Sequence, residues 1–422
     1  MAATPSLPMK ALRLLPLAGL AALLTAGAAA TQEGGGILLS FGIEQRFSWA
    51  DNAGLVIPSE GDSFRADTRL SFGFVSETPR DRLTLNVSGA LRGEDRTGGG
   101  FDFGLDSPAA DLGYTRSGAT SSFTTTAFLR ETNLDDGLIL SEGEGGESPV
   151  LVFEDGTART KGGRLAYNWG EGTPFGGTVR TSLTDTDYIG TTDPDLVGNR
   201  TTTAGVTLRF RVNEVTEASV NIDHRRYDET GAAPVEDSTT VSVGLNRTLP
   251  RGSLSGNIAA TRDEDGTRTS FSFGRRIELP NGSLSADLGL TEAANGGTNL
   301  TGALAWRQEL VRGGLSARLS RAVTNDTNND ETLITALSLG LTQELTPRMG
   351  LNMGASWTRR EDVATDSVTD SASLDAALGY ALTEDWNLNV GASHRLKDED
   401  GVGRADSNSV FLSVGRRFEW RP

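Results

Sequence analysis

Apolar and polar residues alternate with a period of two along most of this chain, and the stretch Glu331–Glu361 shows it most plainly. There Leu333, Leu337, Leu339, Leu341 and Leu345 share one face of a run. Its other face carries Ile334, Ala336, Ser338, Gly340, Thr342 and Glu344. After a tight turn at Thr346-Pro347-Arg348, Met349, Leu351, Met353, Ala355 and Trp357 oppose Gly350, Asn352, Gly354, Ser356 and Thr358. Successive side chains of a strand point to opposite faces, so the segment predicts a hairpin with one apolar face and one small or polar face. Similar runs follow one another from 37–50 to 407–420 and predict about twenty strands, with a range of about 18 to 22. Each is long enough for the roughly 9–11 residues that a tilted strand needs to cross a bilayer, whereas soluble strands run nearer about 5–6.

The connections alternate in kind. One class is very short: Pro79-Arg80, Ser117-Gly118, Gly172-Thr173-Pro174, Asn213-Glu214, Pro250-Arg251, Pro280-Asn281-Gly282, Arg312-Gly313, Pro347 and Glu384-Asp385. Pro, Gly and Asn supply the fixed or positive φ that tight hairpins demand. The other class is longer and rich in acids and amides: Asp51–Asp62, Asp95–Ser107, Thr132–Thr157, Tyr188–Asn199, Asn325–Asp330 and Lys397–Asp406. Short turns on one side and long loops on the other predict an all-β fold: a single antiparallel up-and-down transmembrane β-barrel, with the short turns periplasmic and the loops extracellular. An even strand number then puts both termini in the periplasm. A solenoid would hold one fixed repeat, which the drifting turn spacing does not.

The first thirty residues stand outside this pattern. Lys10 and Arg13 precede an apolar core at 14–26, and Ala28-Ala29-Ala30 offers a cleavage site. Together they predict a secretory signal peptide over 1–30, with the barrel occupying 31–422. The chain has no cysteine, which excludes a disulfide framework and thiolate metal sites. Mean hydropathy is −0.29. That value excludes a helical membrane protein but suits a barrel, where only alternate strand residues meet lipid. A formal net charge of −17 speaks against nucleic acid as a partner, since phosphate binding needs clustered Lys and Arg.

Tryptophan supplies a second reading of depth. With the short turns periplasmic, Trp169, Trp306, Trp386 and Trp420 fall near the periplasmic strand ends, and Trp49 and Trp357 near the outer ends. From Met349 to Trp357 a strand tilted by about 40° climbs roughly 20 Å, close to an apolar band of about 25 Å flanked by aromatic girdles. The last strand carries Val410, Leu412, Val414, Phe418 and Trp420 on one face, as expected of a C-terminal insertion strand. On these features the chain resembles Gram-negative outer-membrane β-barrels of the porin-like kind. It departs in the Arg421-Pro422 that follow the final aromatic residue and in Arg416, which interrupts the apolar face. The resemblance implies lipid and lipopolysaccharide as surroundings, the barrel-assembly machinery as a partner, and small solutes or ions as cargo.

The longest loop, Thr132–Thr157, holds Asp135, Asp136, Glu142, Glu144, Glu147, Glu154 and Asp155 with no Lys or Arg. In general porins the loop in this place folds into the barrel, so the resemblance implies a pore constriction that favours cations. The plainer alternative is that Leu138-Ile139-Leu140 and Val150-Leu151-Val152-Phe153 extend the flanking strands and the acidic tip is solvated outside. Twenty tilted strands enclose a backbone diameter of roughly 40 Å, which inward residues such as Arg209, Arg211, Asp287 and Asp375 would narrow. For each of those four the plainer expectation is an ion pair across the wall.

Catalysis is not expected. Only His224 and His394 exist, neither sits in a His-x-Ser pattern, and Asp223 beside His224 points to the other face of its strand. The Asp-rich tips at Asp263 and Asp398 lack the spacing of a Ca²⁺ loop, so no metal or cofactor is expected. The leading function is a passive diffusion channel for small hydrophilic solutes, leaning to cations. The alternative is a structural or adhesin-type barrel, or an export pore acting with a periplasmic or extracellular partner. No wall marks itself as a subunit contact.

Overall fold

A computed structural model describes residues 36–422 apart from 60, 97–99, 135–137, 141–149, 153–155, 192–195, 232–233, 265, 293–296, 326–330 and 363–366. Residues 1–35, and with them the predicted leader, lie outside the described residues. The chain forms β1 (Gly36–Ala50), β2 (Ser63–Glu77), β3 (Asp81–Arg96), β4 (Gly100–Ser117), β5 (Ser121–Asn133), β6 (Leu138–Leu140) and β7 (Val150–Val152). Next come β8 (Thr157–Trp169), β9 (Phe175–Ile189), β10 (Asn199–Asn213), β11 (Thr216–Glu229), β12 (Glu236–Leu249), β13 (Gly252–Arg262) and β14 (Thr267–Leu279). The last are β15 (Gly282–Glu292), β16 (Thr298–Leu310), β17 (Gly313–Asn325), β18 (Glu331–Thr346), β19 (Met349–Asp362), β20 (Val368–Ala381), β21 (Trp386–Glu399) and β22 (Gly403–Trp420).

Twenty of these strands make one antiparallel sheet, and β6 and β7 pair only with each other. Each barrel strand pairs with the next in the chain, β5 pairs across to β8, and β22 returns to β1 from Leu39↔Trp420 to Ala50↔Ser409. The sheet is therefore a closed up-and-down barrel without a free lateral edge over the span of β1, as the period-two pattern predicts. Among the described residues no helix is long and apolar enough to cross a membrane.

Register confirms the two faces. In the β18–β19 hairpin Leu337 opposes Trp357, Leu339 opposes Ala355 and Leu341 opposes Met353, while Ser338, Gly340 and Thr342 oppose Ser356, Gly354 and Asn352. Leu345 differs from the simple pattern, because a bulge between Glu344 and Thr346 leaves it without a partner as the strand enters its turn. Large apolar side chains such as Phe41, Leu70, Val243, Phe273, Leu290 and Leu374 stand exposed on the outward face. In water such a surface would be an aggregation hazard; against lipid it is the solvated surface.

Candidate functional site: the barrel lumen and its outer mouth

The inward face is lined by Ser, Thr, Asn and Gly, tied across strands by their own side chains. Asn221 donates to Ser242 at 3.0 Å, Thr178 donates to Asn168 at 2.6 Å, and the hydroxyls of Ser356 and Ser373, and of Ser393 and Ser409, meet at 2.8 Å and 2.6 Å. Such pairs add a few tenths of a kcal/mol each, about 0.2–1, and keep the wall polar yet satisfied. Arg209, Arg211, Asp287 and Asp375 all occupy inward positions in the register. Asp287 lies between Gly274 and Ala303, and Asp375 between Gly354 and Ser393, so small neighbours leave each carboxylate open to the lumen. Among the described residues none of the four takes part in an ion pair. Inward pairs form elsewhere, between Arg180 and Asp223 at 2.6 Å and between Arg130 and Asp111 at 2.5 Å.

A buried charge cluster on β2–β4 went unread in the sequence. Arg65 meets Glu94 at 2.9 Å, and Arg92 bridges Asp67 at 2.7 Å and Asp106 at 3.2 Å, each side chain about nine-tenths buried. Beside it, in the row of Asp67, the Arg46 guanidinium stacks 3.8 Å from the Phe411 ring centroid, tying β1 to β22 on the inner side. The signal was present as the alternation Arg65-x-Asp67 set against Arg92-x-Glu94. Only the register turns those alternations into pairs.

Three loop segments lean over the inner side of the outer mouth. Leu55 packs on Ala405, an inward residue of β22, and both are buried. Leu134 and Leu196 pack on Ala158 with Tyr188 beside them, again on the inward parity of β8 and β9. Asn52 fastens the first loop: its amide donates to the carbonyls of Val56 at 3.1 Å and Asp406 at 3.2 Å. Next to it Asp51 accepts from the Asn408 backbone N–H at 2.7 Å and the Asn408 amide at 2.8 Å. Burial raises the Asp51 pKa, but those hydrogen bonds outweigh it and hold the carboxyl below its ordinary value. The acidic loop residues Asp135, Asp136, Glu142, Glu144, Glu147, Glu154 and Asp155 lie outside the described residues.

On the outer wall, register places all six tryptophans on the lipid-side parity. Trp49 opposes Val410, Trp420 opposes Leu39 and Trp386 opposes Arg416 on the outward row of β22, and Trp169, Trp306 and Trp357 share rows with Gly177, Leu284 and Leu337. Val410, Leu412, Val414, Phe418 and Trp420 face outward against Trp49, Phe47, Gln45, Phe41 and Leu39. Arg416, which breaks that row, lies 5.4 Å from the Trp386 ring and 4.1 Å from the Phe418 ring, and reaches Asp385 of the adjoining turn at 3.7 Å. The charge is thus held among aromatic rings at the strand end. His224 faces outward beside Thr239 at 3.1 Å, while Asp223 faces inward to Arg180, so the two do not form a dyad. Among the described residues no three metal-ligating side chains converge.

No family model matches the chain, and no curated protein matches it in sequence. Solved structures do. The ferric enterobactin receptor PfeA of Pseudomonas aeruginosa superposes with a TM-score of 0.51 at 11% identity, over 92% of this chain and 81% of its own. The siderophore receptor PirA of Acinetobacter baumannii gives a TM-score of 0.51 at 7% identity, over 90% and 80%. The ferric-catecholate import receptor Fiu of E. coli gives 0.50 at 11% identity, over 92% and 82%. The fold is that of an outer-membrane β-barrel. At these identities the outer-membrane barrels share architecture with this chain and nothing finer.

Proposed function

We propose that this outer-membrane barrel is a porin-like channel for passive diffusion of small hydrophilic solutes in a Gram-negative outer membrane. Lipid and lipopolysaccharide then surround it, both termini are periplasmic, and the barrel-assembly machinery inserts it. The observation that carries the reading is the inner wall. Ser, Thr and Asn side chains pair across its strands, and Arg209, Arg211, Asp287 and Asp375 present charge to the lumen without an ion-pair partner among the described residues. A wall of this kind suits water and hydrated solutes. The acidic loop at 132–157 supports a preference for cations through its local field. The barrel is non-catalytic in this reading, in keeping with Asp223 and His224 on opposite faces.

The alternative, a closed structural, adhesin-type or export barrel, draws support from Leu55, Leu134 and Leu196, which lean over the mouth. Reconstitution into a planar bilayer separates the two. Stable single-channel steps are expected; a barrel that inserts and stays silent overturns the channel reading. Replacing Glu142, Glu144 and Glu147 by Gln tests the constriction, and unchanged ion selectivity removes it.

A further inference from the structure

Above a bulge in β4 the barrel wall loses one of its two neighbours. The β3–β4 ladder runs on to Arg96↔Gly100, whereas the β4–β5 ladder begins only at Ala109↔Arg130. Among the described residues, the part of β4 from Gly100 to Pro108 therefore has one adjacent strand and one open edge. The break has a local cause. Register slips between Ser88 and Ala90, Ser107 takes a positive φ of 47°, and Pro108 has no N–H to give to β5.

The open segment carries an exposed apolar stripe. Phe101, Phe103 and Leu105 share the outward face and are 72%, 64% and 67% exposed. At a rise of ~3.3 Å and a tilt of ~40°, Leu105 stands roughly 20 Å above Tyr114 and Phe101 roughly 30 Å, against an apolar band of about 25 Å. The stripe thus starts at the top of the lipid and continues into water, where exposed apolar side chains mark contact surfaces. The Asp102 carboxylate accepts from the Phe103 N–H at 2.8 Å, so that donor turns to the open edge and is covered by a side chain. By alternation the N–H groups of Phe101 and Leu105 turn the same way. Asp95 and Asp102 take part in no ion pair among the described residues, while Glu94 and Asp106 are neutralised by Arg65 and Arg92.

We propose that this edge receives an extended strand of an extracellular partner protein. The strand adds to β4 by backbone hydrogen bonds, lays alternate apolar side chains over Phe101, Phe103 and Leu105, and sets basic side chains on its other face against Asp102, which lies on the inward row opposite Glu94. A second copy does not fit. Barrels side by side in one membrane are related by an axis along the membrane normal, so both β4 strands descend together and cannot pair antiparallel. The inference rests on the orientation proposed above, with the long loops outside, but not on conductance.

The test uses the barrel in lipid nanodiscs and a fluorescent nine-residue peptide of alternating valine and lysine, read by anisotropy. Saturable binding is expected, with no binding of the same peptide N-methylated at alternate backbone nitrogens. Leu105→Pro removes one edge donor and Phe103→Ser one apolar contact; each is expected to weaken binding at least tenfold. Val311→Ser, at a turn on the opposite side of the membrane, is expected to leave binding unchanged. Heat-modified gel migration checks that each variant folds. No saturable binding, equal binding of the N-methylated peptide, or an unchanged Kd in both edge variants overturns the proposal. So does quenching of a Phe103→Trp variant by brominated acyl chains, which puts the stripe in lipid. Hydrogen exchange supplies the last check: protection of the Phe101 and Leu105 amides without peptide shows the edge already occupied by the chain itself and overturns it too.

Discussion

Arg92→Met should destabilise the barrel severely, because it strands two buried acids. Arg92 reaches Asp67 on β2 at 2.7 Å and Asp106 on β4 at 3.2 Å, with all three side chains only 12–13% exposed. Removing the guanidinium leaves two carboxylates out of water with their main counter-charge gone. Breaking a buried pair in this way costs about 3–5 kcal/mol. The loss therefore belongs to the stranded acids more than to the missing contact. It follows that Arg92→Met combined with Asp67→Asn and Asp106→Asn should return to within about 1 kcal/mol of the starting protein, since well-packed neutral replacements of a buried ion cluster are often harmless. Urea titration in lipid vesicles, read by tryptophan fluorescence, measures both variants. Added salt should change the difference little, because buried pairs are weakly screened. A single variant within about 0.5 kcal/mol of the parent would refute the reasoning, as would a triple variant no more stable than the single one.

Four further outcomes are expected. Asp51→Asn should lose about 1 kcal/mol at neutral pH, because two hydrogen bonds from Asn408 weaken without the charge. Since the Asp51 pKa is lowered in the fold, its contribution is fully present above the ordinary value of 3.8 and disappears as pH falls through the lower folded value. Stability curves of parent and variant should therefore converge in acid. Arg416→Ala should cost about 1–2 kcal/mol in the urea titration by removing two ring contacts, and Arg416→Lys less. Gly252→Ala should lower the unfolding midpoint and the yield of folded barrel on gels. Its φ is 117°, and a Cβ there would run into the Arg276 carbonyl. Finally, Glu142→Gln, Glu144→Gln and Glu147→Gln together should shift reversal potentials towards anions in a planar bilayer if that loop lines the pore.

The architecture was legible because a strand repeats every two residues and a barrel asks little else of its wall. Leu337, Leu339 and Leu341 on one side and Ser338, Gly340 and Thr342 on the other already fixed the faces of β18 before register was known. The inward positions of Arg209, Arg211, Asp287 and Asp375 followed from the same parity. What parity does not encode is which neighbour a residue meets. Arg92 could be placed inward from the sequence, but its contact with Asp67 needs the β2–β3 register and its reach to Asp106 depends on a bulge one strand away. Leu55 and Leu196 were hidden for another reason. Each opens a short apolar patch in a polar loop, Leu55-Val56-Ile57 and Leu196-Val197, and nothing local says which of these residues turns inward or which part of the rim it will cover. The open edge of β4 was likewise invisible, since Asp95–Ser107 reads as a long loop and only the ladders show that β3 and β4 stay paired up to Arg96↔Gly100 while β5 stops following at Ala109↔Arg130.

The junction of β1 with β22 carries a consequence for how the chain reaches this state. The Asp51–Asn408 bonds join residues 357 positions apart, and the whole β1–β22 ladder spans similar separations. Closing a chain segment of that length costs roughly 5 kcal/mol in entropy by the logarithmic scaling of loop closure. The remaining ladders between neighbouring strands are local hairpins and can form one after another, apart from the step across β6 and β7. Closure is different in kind: it waits until the last strand exists and is then made all at once. Until that moment β1 keeps an unpaired edge that lipid cannot satisfy. Folding is thus expected to show many fast local steps and one slow, length-dependent step, with Asp51, Arg46 and the C-terminal strand ordered only at the end.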